Sequence, residues 1–135
     1  MRNAILSVLL FLSIMICVFF LNNSIINLCN DIKKQSEDIE LKIADGKIQD
    51  AYSKSLELLN SIEEKNLVTS IYLSHQEFDN LLNEALKLST YLIHEDETEA
   101  HASLHLVKYN ADHIKKLQIP TLENIIWQFI QEFWW

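Results

Sequence analysis

Ala4–Leu21 reads AILSVLLFLSIMICVFFL, a run without a single charge, Gly or Pro. A helix rising ~1.5 Å per residue carries this run ~27 Å, close to the ~30 Å hydrocarbon core of a bilayer, and Ile25 and Ile26 just beyond can complete a span. Apolar side chains cover the whole circumference, whereas a helix buried in a soluble core shows one apolar stripe. The residues that follow, FFLNNS, offer no small-x-small cleavage site, so the run reads as a retained anchor. Neither Cys17, after Met15 and Ile16, nor Cys29, after Leu28, has the small preceding residue of a lipoprotein signal. Arg2 and the free amine sit at one boundary, and Lys33 and Lys34 lie about three turns beyond the other, which places the N-terminus inside. The expectation is a single-pass cell-membrane protein with an anchor over residues 1–24 and an extracytoplasmic C-terminal domain.

Outward from the anchor, composition fixes the fold class. The 135 residues contain one Gly and one Pro, which leaves no hairpin-turn chemistry, so the chain reads as all-α. About 100 residues after the anchor suffice for one core. Nineteen acidic against eleven basic residues give a net charge of −8, with no basic stripe interleaved with aromatics, which excludes nucleic acid as a partner. Cys17 and Cys29 stand ~18 Å apart along one helix, too far to bridge within the chain.

Apolar residues at Ile25, Leu28 with Cys29, Ile32, Ile39 and Ile43, with Ser36 filling one interrupted position, continue the anchor helix outward at spacings of three and four. Asp45-Gly46 ends it, with Asp45 free to cap the next start. A second helix is expected from about Lys47 to Lys65, with Ile48, Ala51, Tyr52, Leu58, Leu59 and Ile62 on one face. Asn66 is the capping candidate before a third pattern, Ile71, His75, Phe78, Leu82, Ala85, Ser89 and Leu92. Neither Gly nor Pro enforces a break at Asn66, so a continuous long helix stays open. Asp96 with Glu99 reads as a capping box opening a fourth helix, whose seam is Ala100, Leu104, Val107, Ala111 and Ile114 and whose last turn carries Lys115 and Lys116. Four amphipathic segments joined by short turns bury their faces against one another as an up-and-down four-helix bundle over residues 25–120. In its third and fourth helices, facing residues then have numbers totalling about 191.

The stretches SHQEFDNLLNEALKLSTYLI, SLHLVKYNADHIKKL and LENII resemble an uncharacterised family of small bacterial membrane proteins, domain-of-unknown-function family four-three-six-three. The resemblance rests on a His-x-Glu-x-Asp-like patch at His75, Glu77 and Asp79 and on a Leu-x-Asn-Ile ending at Leu122, Asn124 and Ile125. It implies one N-terminal span followed by an extracytoplasmic helical region in Gram-positive bacteria, with no assigned activity or catalytic residue. The tail WQFIQEFWW extends beyond the usual ending of that family.

Two groups of residues carry candidate chemistry. Glu97, His101 and His105 follow at spacing four on one side of the fourth helix, a geometry that can hold zinc, although a solvated polar flank is the default reading and no HExxH or Cys pair supports them. His75 falls on the seam of the third helix with Asp79 one turn on, a polar core pair or a proton-dependent switch. No Ser-His-Asp set, phosphate loop or paired Cys motif appears, so neither an enzyme nor a cofactor is expected. The function that remains is a membrane-anchored extracytoplasmic interaction module or accessory subunit of a membrane complex, with the lipid bilayer and a membrane-protein partner or self-association as its contacts. The alternative is a ligand- or metal-sensing helical bundle. Residues 121–135 form an aromatic amphipathic segment with apolar residues at helical spacing. Trp127, Trp134 and Trp135 suit the membrane interface, where amphipathic rings partition, although the same apolar face suits docking onto a partner or the bundle.

Overall fold

The computed structural model describes residues 2–65 and 74–119. They form four helices, α1 (Arg2–Ala44), α2 (Ile48–Glu64), α3 (His75–Ile93) and α4 (Glu97–Gln118), and no strand among the described residues. Each helix packs on two neighbours in a closed square, α1 on α2 and α4, and α3 on α2 and α4. Polar contacts record the alternating directions: Asn30, Lys33 and Glu40 of α1 meet Lys115, Asp112 and Lys108 of α4, rising numbers against falling ones. Glu77 meets His113 across α3 and α4, in the register expected for that pair.

α1 has two halves that differ in what surrounds them. The apolar window is unburied throughout, with a mean hydropathy of 2.7, and is the one described helix long and apolar enough to cross a membrane. From Ile25 the same helix turns one stripe inward, burying Ile25, Leu28, Cys29, Ile32, Ile39 and Ile43. Ser36 occupies the interrupted position and is fully buried, with an Oγ that meets no hydrogen-bond partner. An unmatched buried hydroxyl costs ~1 to 3 kcal/mol, so this layer is held by its apolar neighbours.

The seam of α4 follows the expected spacing, with Ala100, Leu104, Val107, Ala111 and Ile114 buried. On α2 Ala51, Leu58 and Ile62 are buried as expected and Ser55 joins them, while Ile48, Tyr52 and Leu59 are half-buried beside the seam. On α3 the expected stripe is corrected. Phe78, Ala85, Ser89 and Leu92 are buried as predicted, but Leu81 and Leu88 are buried with them, and Leu82 lies at the edge of the seam. Turning Leu81 and Leu88 inward buries more apolar area than centring the stripe on Leu82 would. Ser89 is still buried and donates to the Leu86 carbonyl at 2.9 Å, while Leu82 packs half-buried. His75, the first residue of α3, is exposed.

The ends explain why there are four helices and not three. Gly46 at φ +72° closes α1: its N–H donates to the Ile43 carbonyl and that of Lys47 to Lys42, both at 2.9 Å, the paired bonds of a Schellman turn. Asp45 does not cap α2. Its carboxylate pairs with Lys47 at 3.2 Å, and α2 begins without a side-chain cap. α2 and α3 are separate helices, and the start of α3 is set by Ser74, whose Oγ accepts from the Glu77 N–H at 3.3 Å. SHQE is thus the start signal for α3; Asn66 and Ile71 lie outside the described residues. Asp96 caps α4 by accepting from the Glu99 N–H at 3.2 Å, as expected. The Asp96 N–H itself goes to the Tyr91 carbonyl at 2.9 Å, so the turn between α3 and α4 is a second Schellman turn with Glu95 in the left-handed position at φ 58°. A left-handed residue with a Cβ is strained by about 1 kcal/mol or more, which glycine avoids. Glu95→Gly should therefore stabilise the bundle by about 1 kcal/mol in thermal or denaturant melts, and a loss of stability would show that the Glu95 side chain contributes more than its backbone costs.

Candidate functional site

The most polar contact between helices lies where α1 passes α4. Lys108 Nζ donates to Glu40 Oε2, Lys33 Nζ lies 3.4 Å from Asp112, and Lys115 Nζ donates to Asn30 Oδ1 at 2.7 Å. These residues flank the two buried seams, beside Ile32, Ile39, Val107, Ala111 and Ile114, the positions that charged residues take beside a coiled-coil seam. Sequence reasoning singled out His101 and His105 but missed Glu40 and Lys108, because their pairing crosses 68 residues of chain. Their flank positions beside the two seams were the available signal.

The Lys108 ammonium, by its hydrogen bond to Glu40, holds that carboxyl below the usual carboxylate range, against the opposing effect of burial. The positive fields of Lys108, His105 and His101 act in the same direction. His101 is half-buried on the side of α4 that faces α1, whereas His105 is exposed. The three-residue metal candidate does not assemble: among the described residues no group of three or more His, Cys, Asp or Glu side chains could hold a metal ion. Glu97, His101 and His105 share a side of α4, but steps of four residues climb ~6 Å each, so the first and third stand ~12 Å apart along the axis.

The expected core pair of His75 and Asp79 is likewise corrected. Both are exposed, and no hydrogen bond or ion pair joins them. At about 100° per residue His75 stands about 90° round the helix from the seam of Phe78, Leu81, Ala85, Leu88 and Leu92, on its flank. Within the family-like patch it is Glu77 that reaches across helices, to His113 Nε2 at 3.8 Å. Cys29 is 3% exposed, and burial pushes its thiol up to about 11, so its thiolate is scarce near neutral pH. Trp127, Trp134 and Trp135, together with Leu122, Asn124 and Ile125, lie outside the described residues.

The chain matches the family model described as a domain of unknown function (DUF4363) over residues 19–125, and it belongs to that family. The match starts within the apolar half of α1 and runs past α4, so it takes in the whole bundle, while residues 126–135 fall beyond it. No curated protein and no solved structure matches the chain.

Because the folded carboxyl of Glu40 titrates below its ordinary value, its contribution to stability is present above about pH 4.5 and is lost as the pH falls through the lower folded value. With both side chains partly in water, this contribution is at most about 1 kcal/mol. Glu40→Gln should lower the melting temperature at neutral pH, and the difference from the native chain should close in acid. A difference that stays constant with pH would assign it to packing and not to charge.

Proposed function

We propose that the chain is a single-pass membrane protein whose bundle stands outside the cytoplasm and serves as an interaction module or accessory subunit of a membrane complex, without catalysis of its own. The observation that carries this reading is the division of α1. Every large apolar residue from Ile5 to Phe20 is 40–67% exposed, yet within two turns the same helix becomes a wall of the bundle. Water would make so large an apolar sleeve a liability, while a bilayer makes it the stable state. Arg2 at the inner boundary supports the outward orientation of the bundle. The α1–α4 contact supports an interaction role, since Lys33 with Asp112 and Lys108 with Glu40 pair across it, as in a structural seam.

Thr98, exposed in the first turn of α4, stands at the end of the bundle away from the anchor. In intact, wall-stripped cells, a membrane-impermeant thiol reagent should label Thr98→Cys. Cys17 lies within the apolar run and Cys29 is buried, so neither native thiol should compete. Labelling only after lysis would reverse the orientation, and release of the chain from membranes by alkaline carbonate would remove the anchor.

A further inference from the structure

Three of the four faces of the bundle are charged. Asp31, Lys34, Asp38, Lys54 and Glu57 line an open groove between α1 and α2. Glu40 with Lys108 and Lys33 with Asp112 mark the α1–α4 face, and Glu77 with His113 marks the α3–α4 face. These contacts also settle how each helix is turned. Lys54 and Ser61 point α2 toward α1, so at about 100° per residue Tyr52, Leu56 and Leu59 turn toward α3. Glu77 points α3 toward α4, so Leu82, Leu86 and Ile93 turn toward α2.

The α2–α3 face is consequently apolar at its centre. Tyr52, Leu59 and Leu82 pack half-buried on the core, while Leu56, Leu86 and Ile93 are 37%, 52% and 55% exposed. Its outer border is Gln49, Ser53, Asn60, Asn83 and Thr90, exposed and uncharged. Among the described residues, charge enters this face only at its anchor-side end, with Glu63 and Asp79. The exposed Leu106, Tyr109 and Leu117 of α4 form no comparable patch, because Asp112, His113 and Lys116 are interspersed among them.

We infer that this face is where two copies of the chain dock, related by a two-fold axis parallel to the bundle. An apolar centre depleted of charge, with a polar rim, is the composition of a protein interface. A second copy brings another net charge of −8, and a face without charge is where such copies meet with least repulsion. The heights also match. Around the bundle, Ser61 is level with Gln35, that level on α1 lies between the Lys33–Asp112 and Glu40–Lys108 contacts, and Glu77–His113 carries it to about Asp79. Leu56 and Leu86 therefore lie within a turn of the same height. A half-turn about a parallel axis preserves height, so α2 of one copy meets α3 of the other with leucine against leucine, twice over.

The orientation rests on the anchoring proposed above: two copies held by the same end in one bilayer have parallel axes, as this symmetry requires. α2 is ~25 Å long and a two-helix face is ~20 Å wide, which gives about 500 Å² per copy and places the pair at the lower bound of specific interfaces. Shared anchoring supplies the effective concentration that such a face needs.

The test uses the full-length chain with Cys17→Ala, co-expressed as two differently tagged copies, one carrying Leu56→Cys and the other Leu86→Cys. Mild oxidation of membranes should give the doubly tagged cross-link in several-fold excess over a control pair on α4, Leu106→Cys with Tyr109→Cys. The double variant Leu56→Glu and Leu86→Glu should run as a monomer by native mass measurement while retaining the thermal melt of the native chain. Equal yields at the two faces, or cross-linking of Leu86→Cys to a different polypeptide, overturns the pairing. Carbonate extraction of the same membranes tests the anchor independently. A chain that resists extraction but gives no excess cross-link defeats the pairing alone. A chain that is extracted defeats the anchoring reading, and its cross-link yield still decides the pairing.

Discussion

One helix in two surroundings governs this molecule. α1 buries nothing within its apolar window and then, from Ile25, supplies six of the nineteen buried apolar residues of the core. A bundle of α2, α3 and α4 alone would leave the inward faces of Leu58, Ile62, Leu104 and Val107 open on one side, each losing part of the ~1.5 to 3 kcal/mol that burial of such a side chain contributes. The apolar half of α1 is therefore not an appendage joined by a linker. The absence of Gly and Pro from residues 2–44 lets one helix pass from one surrounding into the other without a hinge.

The polar contacts reinforce that junction. Between α1 and α4 the apolar seams are flanked on their outer side by Asn30–Lys115, Lys33–Asp112 and Glu40–Lys108, which set the register of the two helices more than they add stability. Two Schellman turns close the end of the bundle away from the anchor, so its geometry there is fixed by backbone hydrogen bonds at Gly46 and Glu95. Charge is concentrated on three faces and withdrawn from the fourth, an asymmetry that a packing requirement alone does not impose.

Much of this was legible in the residues. Helix number, the seams of α1, α2 and α4, the stop at Gly46 and the cap at Asp96 follow from apolar spacing and turn chemistry, because those signals are local. The stripe of α3 was misread because Phe78, Ala85 and Leu92 belong to two interlaced lines. Packing against α2 and α4 decides between them. That one rotation carried His75 and Asp79 from core to surface. The metal candidate does not assemble among the described residues, which spacing along one helix could not decide, because it depends on where all three side chains reach. Glu40 and Lys108 were illegible singly, since a flank position acquires its role only when the facing helix is known.

The account stands on α1 as an obligatory wall of the bundle, and a comparison of two water-soluble fragments tests this most directly. Asn22–Gln118, which keeps the outer half of α1, should be helical by far-UV circular dichroism and melt cooperatively in plain buffer. Lys47–Gln118, which lacks it, should show a broad, uncooperative loss of helix. A cooperative melt of the shorter fragment at the same temperature as the longer one would contradict the account, because the bundle would then be complete without the outer half of α1.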